Sequence, residues 1–167
     1  MNNIEFLHID QYIHAYRVKG LHDFLLQKKN EFDKLWLNFK NKPNREVYNE
    51  VISDPNINKV LQPLLLKITH EYYMVDSKFR DFSLSLYSQT SDEYNSVYHN
   101  HYDSSTLTCT IYLNPPNQGE GGELSFLFTE NDVFEILPEK DTIYFFPSWV
   151  MHKPLPQTSK EVRHCLN

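Results

Sequence analysis

The chain is short of glycine, cysteine and clustered positive charge. Only four glycines occur in 167 residues, and three of them are Gly119, Gly121 and Gly122, which concentrates them in one sharp turn. The two cysteines, Cys109 and Cys165, stand in apolar, strand-like surroundings without the spacing of a disulfide framework, and read as reduced thiols. Net charge is −6 and no basic block interrupts the sequence, so a nucleic-acid backbone is not an expected partner. No apolar run approaches the roughly 18 residues of a membrane span. Met1 to Asp10 carries acids and polar residues where a signal peptide needs a basic start and an apolar stretch. The expectation is a soluble, cytoplasmic protein with no membrane partner. His-Glu-x-x-His, the helical signature of many zinc hydrolases, is missing as well.

What is present suffices for one core without staples: 167 residues, 40% hydrophobic, with 11 Tyr and 11 Phe. From Gln11 to about Asn41 the residues Tyr12, Ile13, Leu21, Phe24, Leu25, Phe32, Leu35, Trp36 and Phe39 recur at helical steps. Pro43 breaks that pattern. A second helix is expected from about Ile57 to Met74, with Val60, Leu61, Leu64, Leu65, Ile68 and Tyr72 on one face. After Asp76 the texture changes to short runs rich in aromatic and β-branched residues: Phe82 to Tyr87, Thr106 to Leu113, Glu123 to Phe128, Val133 to Leu137, Thr142 to Phe146 and Val162 to Leu166. Helices followed by short strands predict a single α+β domain over 1–167, in which 1–76 is mainly helical support and 77–167 is an antiparallel sandwich or barrel.

Thr106 to Leu113 alternates strictly. Leu107, Cys109, Ile111 and Leu113 share one face, suited to packing on the helices, and Thr106, Thr108, Thr110 and Tyr112 share the other. The second face suits either a barrel interior holding a polar ligand or water.

A histidine and a carboxylate two residues apart on a strand point to the same side and can both reach one metal. Eight histidines and 22 acids make His-x-Asp common by chance, and the chain has two instances, His8-Ile9-Asp10 and His101-Tyr102-Asp103. The first precedes the helical stretch, where Asp10 is placed as an N-cap, and reads as structural. The second stands just before the alternating strand, and further strands lead from it to His152. Two histidines and one carboxylate on one face of a metal leave three positions open, the arrangement of non-haem iron(II) that binds a bidentate co-substrate and oxygen together.

Tyr98-x-x-His101-x-Asp103, Leu107-Thr-Cys-Thr-Ile-Tyr112-Leu113-Asn114, Gly121-Gly122-Glu123-Leu124, Phe145-Phe146-Pro147-Ser148, His152 and Arg163 together resemble the prolyl-4-hydroxylase-like branch of the 2-oxoglutarate/Fe(II)-dependent dioxygenases. The resemblance runs from about Phe82 to the C-terminus. It implies a double-stranded β-helix, a jelly-roll or cupin-like barrel, braced by the N-terminal helices. It implies Fe(II) on His101, Asp103 and His152, and Arg163 paired with the far carboxylate of 2-oxoglutarate, which a guanidinium meets with two parallel hydrogen bonds. Tyr112 would share that carboxylate, and Tyr98 and Tyr87 match further tyrosines near the co-substrate, although a strand tyrosine is commonly a core aromatic. His99 would share a face with residues 101 and 103 on a regular strand, as an outer-shell group, a substrate contact or a rival ligand; the carboxylate of Asp103 is the expected choice because it offsets metal charge.

The activity so implied is hydroxylation of a C–H bond coupled to conversion of 2-oxoglutarate and oxygen into succinate and carbon dioxide, with ascorbate as an accessory reductant. The substrate is expected to be a prolyl residue in a protein or peptide. The alternatives are a free amino acid or other small metabolite, or a metal-binding barrel without turnover, which would have no need of Arg163 and Tyr112.

Overall fold

A computed structural model describes residues 4–40, 48–51, 54–73, 85–89 and 97–167. The break expected at Pro43, the first residues of the strand expected from Phe82, and the boundary expected at 76/77 lie outside them. Ten strands are described: β1 (Ile4–His8), β2 (His14–Val18), β3 (Tyr48–Val51), β4 (Ser85–Gln89), β5 (Leu107–Tyr112), β6 (Leu124–Thr129), β7 (Asp132–Ile136), β8 (Thr142–Pro147), β9 (Met151–Pro154) and β10 (Arg163–Leu166). The helices are α1 (Leu21–Leu26), α2 (Lys29–Lys40) and α3 (Pro55–Tyr73). One seven-stranded sheet runs β1-β2-β8-β5-β10-β4-β3 and a three-stranded sheet runs β7-β6-β9, with every pairing antiparallel. This is the double-stranded β-helix braced by helices, with the functional cavity between its two sheets.

The helices start where local chemistry allows. Asp54 accepts hydrogen bonds from Asn56 N at 2.7 Å and Ile57 N at 3.1 Å, and Pro55 follows at the position where a missing N–H costs nothing. Phe32, Trp36 and Phe39 of α2 and Ile57, Leu61, Leu64, Leu65 and Ile68 of α3 are buried in one cluster with Ile111, Leu113, Ile143 and Leu166 of the large sheet region. Leu107 and Cys109 pack against the same cluster. The apolar face of β5 therefore meets the helical layer, and Thr108, Thr110 and Tyr112 line the cavity on the other side.

The N-terminal part differs from its helical expectation. His14 to Val18 is a strand, paired with β1 on one side and with β8 on the other. Tyr16 and Val18 are buried beneath the helices, while Ile13 joins Leu124, Phe126, Phe146 and Val150 in a second core between the sheets. A strand with a demand on both faces carries apolar residues at irregular spacing, and this run merged with the periodicity of α1 and α2. Asp10 is accordingly not a helix cap. It accepts Tyr12 N at 3.1 Å in the β1–β2 loop, and His8 lies opposite His14 across that hairpin.

Candidate metal and dicarboxylate site

His152 lies on β9, and His99 faces it through a short antiparallel bridge: His99 N donates to His152 O at 3.0 Å and His152 N to His99 O at 2.9 Å. His101, two residues on, joins them. Ligand atoms of His99, His101 and His152 all lie within 4.8 Å of one another, and the ring centroids are 4.5 to 5.2 Å apart. His152 donates Nδ1–H to Val150 O at 3.0 Å, and His99 donates Nδ1–H to Val97 O at 3.2 Å. A carbonyl only accepts, so each neutral ring keeps its lone pair on Nε2, the form a metal needs. Burial pushes the His152 pKa down to about 4, and burial followed by the proximity of His99 lowers that of His101, so both rings are neutral at pH 7.

Asp103 is not part of this group. After His101 the chain turns, with Ser104 N and Ser105 N both donating to His101 O at 3.0 Å, and Asp103 stands exposed in that turn. The bridge at His99 and the bond from His101 N to Ser148 O bring residues 99 and 101 to His152, and the turn that follows leaves Asp103 outside the group. Ser148 fixes the arrangement. Its carbonyl accepts His101 N at 2.8 Å, its N–H donates to Thr106 O at 3.1 Å, and its buried hydroxyl meets those of Ser105 and Thr108, each at 2.7 Å.

The other end of the cavity belongs to Arg163. On β10, Arg163 and Cys165 face the cavity, while His164 turns to the helices, bonding Ser88 Oγ at 2.6 Å and Asp33 Oδ1 of α2 at 2.9 Å. Asn114 holds the start of this strand, accepting His164 N at 2.8 Å and donating to Val162 O at 2.6 Å. Arg163 is completely buried. Its Nη1 donates to Gly122 O at 3.1 Å and Leu155 O at 3.2 Å, but Nε and Nη2 have no protein partner among the described residues. The glycine turn makes room for it: Gly122 has φ +83°, and a Cβ there would lie 2.9 Å from Pro116 Cγ and 3.2 Å from Arg163 Nη1. A guanidinium buried with two orphaned donors, and without a carboxylate, is a ready receptor for an external one.

Tyr112 is buried beside this end, and burial raises its pKa so that the hydroxyl stays protonated. Tyr87 also lines the cavity. Tyr98 does not: its hydroxyl bonds Ser125 Oγ at 2.8 Å, and Lys153 Nζ lies 4.4 Å from its ring centroid. Thr108, Thr110, Leu124, Phe146 and Cys165 complete the walls of a cleft of about 570 Å³, part of it open to solvent. Thr110 lies on the face of β5 that the alternation marks as polar, and Cys165 is a lining residue that the sequence reading leaves out. Their positions opposite the buried Ile111 and Leu166 are the signal that places them. The three convergent imidazoles and the unpaired guanidinium donors together fit a divalent metal at one end and a dicarboxylate at the other.

Comparison with known proteins agrees with this chemistry. A family model described as the 2OG-Fe(II) oxygenase superfamily matches residues 76–167. No curated protein matches the chain by sequence. Among solved structures, a Pseudomonas putida prolyl-4-hydroxylase aligns with TM-score 0.70 at 16% identity, over 93% of this chain and 91% of that one. A viral collagen prolyl hydroxylase from Paramecium Bursaria Chlorella virus-1 aligns with TM-score 0.61 at 18% identity, over 99% and 95%. A non-heme alpha-ketoglutarate-dependent carbocyclase from nogalamycin biosynthesis aligns with TM-score 0.69 at 12% identity, over 93% and 78%. At these identities the likeness is one of fold.

Proposed function

The chain belongs to the 2-oxoglutarate/Fe(II) oxygenase superfamily, and from that premise we propose that it hydroxylates a C–H bond of a prolyl residue or amino acid, with iron on His99, His101 and His152. It is an enzyme of a family that uses Fe(II), 2-oxoglutarate and oxygen. When bound, iron with these two co-substrates supplies the oxidising chemistry that converts C–H to C–OH and releases succinate and carbon dioxide.

The chain's own residues do the binding and positioning. Arg163 Nε and Nη2 take the far carboxylate of 2-oxoglutarate, and the neutral Tyr112 hydroxyl adds a donor. Arg163 Nη1, tied to Gly122 O and Leu155 O, fixes the plane of the fork, so the length of the co-substrate sets where its keto-acid end meets the histidines. Phe146, Leu124 and Pro154 keep water from the walls between the two ends. Val97, Tyr102 and Trp149 lie within three residues of the histidines in sequence and are 73%, 71% and 49% exposed, which offers apolar surface to the substrate. Tyr98, bonded to Ser125, supports β6 rather than the co-substrate.

The observation that carries this reading is the pair of orphaned, buried Arg163 donors in one cleft with three convergent histidines. The test is formation of succinate from 2-oxoglutarate by the iron-loaded protein, with free proline and prolyl peptides as candidate substrates. Succinate should require Fe(II) and be lost in His152→Ala and Arg163→Met; turnover that survives Arg163→Met unchanged removes the assignment.

A further inference from the structure

Arg163 is the first residue of a strand only four residues long. On one side β10 pairs with β4 along its whole length, from Arg163 opposite Gln89 to Leu166 opposite Leu86. On the other, its register with β5 covers only Cys165 and Leu166. The orientation of the guanidinium therefore depends on what holds the start of β10, and His164 is placed to do so. His164 stands directly opposite Ser88. Because side chains alternate along a strand, it turns to the helices while Arg163, Cys165 and, across from Cys165, Tyr87 face the cleft.

The His164 imidazole is fully buried and both ring nitrogens are engaged, Nδ1 with Ser88 Oγ at 2.6 Å and Nε2 with Asp33 Oδ1 at 2.9 Å. Burial pushes the Asp33 pKa up, but hydrogen bonds from His164 and Lys29 pull it below the ordinary value, so the carboxylate is ionised and only accepts. Nε2 therefore carries the proton. Burial lowers the His164 pKa, and Nδ1 of the neutral ring accepts the Ser88 hydroxyl. Lys29 Nζ donates to Asp33 Oδ2 at 3.0 Å and lies 3.4 Å from Glu161 Oε1, two residues before Arg163. One chain of polar contacts thus joins β4, β10, α2 and the segment that leads into β10. Ser88 is wholly buried on the face away from the cleft, so this serine, histidine and aspartate hold a position and attack no substrate.

We propose that His164 is a positioning residue for 2-oxoglutarate: tied to Ser88 and Asp33 on one face of β10, it sets the angle at which Arg163 meets the far carboxylate on the other. This rests on the assignment of Arg163 to that carboxylate. A fork of two parallel hydrogen bonds tolerates little rotation, and a strand clamped on its outer face is held on its inner one.

The test compares 2-oxoglutarate with 2-oxopentanoate, which keeps the keto-acid end and carries a methyl group in place of the far carboxylate. Each is titrated into the cobalt(II)-loaded protein and followed by visible absorption. Wild type should prefer 2-oxoglutarate by at least about 100-fold. His164→Leu should lower that preference at least about tenfold by weakening 2-oxoglutarate alone, with the affinities for 2-oxopentanoate and cobalt within about twofold of wild type. An unchanged preference, or an equal loss for both keto acids, overturns the proposal. If His164→Leu does not fold, Ser88→Ala decides, since it keeps the imidazole and removes one hydroxyl: the preference should fall at least about threefold, and an unchanged one overturns the proposal. In an Arg163→Met background His164→Leu should cost nothing further in 2-oxoglutarate affinity, and additive losses overturn it. A wild type without preference for the dicarboxylate removes the reading of Arg163 and the proposal with it, a failure distinct from a wild-type preference that His164→Leu leaves intact.

Discussion

Replacing Arg163 with methionine should leave the ligand-free protein near its original stability while abolishing its response to 2-oxoglutarate. Two opposed effects act on the ligand-free fold. The substitution removes two buried donors without partners, each costing about 1–3 kcal/mol. It also removes the Nη1 bonds to Gly122 O and Leu155 O, hydrogen bonds from a charged group worth about 1.5–3 kcal/mol each. The effects are similar in size, so the net change should stay within about 2 kcal/mol. Co-substrate binding has no such offset. Two charge-assisted bonds to one carboxylate are worth roughly 3–6 kcal/mol, which corresponds to a loss of about 10²–10⁴ in affinity. Thermal unfolding of the metal-loaded protein reads both. At 2-oxoglutarate one hundred times above Kd, wild type gains about 2.7 kcal/mol. For a domain of this size that is a rise of roughly 5–10 °C in Tm. The variant should rise by less than about 2 °C at the same concentration. A variant that keeps the full rise, or one whose ligand-free Tm collapses, would show that Arg163 is a structural residue and refute the argument.

Three more outcomes follow from the same geometry. Burial holds the His152 pKa at about 4 against 6.5 in the unfolded chain, so its contribution to stability is complete above pH 6.5 and is lost as pH falls toward 4, amounting to roughly 3 kcal/mol over that window; urea unfolding of the metal-free protein should give lower stability at pH 5 than at pH 7.5. Gly122→Ala forces a side chain into a left-handed conformation and against Arg163, and should cost about 1–3 kcal/mol of stability together with weaker 2-oxoglutarate binding, measured by calorimetry. Ser148→Ala strips the hydroxyl that joins Ser105 to Thr108 beside both histidine-bearing segments, and should weaken metal binding by roughly 10-fold while Arg163-dependent carboxylate binding to the metal-free protein is unchanged.

The β5 strand shows why much of this site is legible in the sequence. Its alternation separates Ile111 and Leu113, which pack in the helical cluster, from Thr108, Thr110 and Tyr112, which line the cleft; the period of two fixes which residues share a face, while ligand or water on the polar face is left open by the alternation alone. The order of Arg163 and His152 relative to that strand and to the Gly121-Gly122 turn puts both near it, and both line the same cleft. That His99 rather than Asp103 stands beside His101 and His152 is not legible, because it depends on the turn that follows His101. Ser104 and Ser105 fold back on His101 O through local hydrogen bonds, and Ser148 locks that turn from a segment more than forty residues away. The β1–β2 hairpin was missed for a related reason: β2 is covered by helices on one face and reaches the inter-sheet core at its start, so its apolar residues do not alternate.

The central claim is the identity of the metal ligands, and cobalt(II) affinity of wild type, His99→Ala and Asp103→Ala tests it most directly. His99→Ala should lose more than the roughly 10–100-fold that removal of an outer-shell group costs. Asp103→Ala should stay within about twofold of wild type, as a neutral surface substitution does. The opposite pattern, with affinity abolished in Asp103→Ala and retained in His99→Ala, would contradict the three-histidine centre.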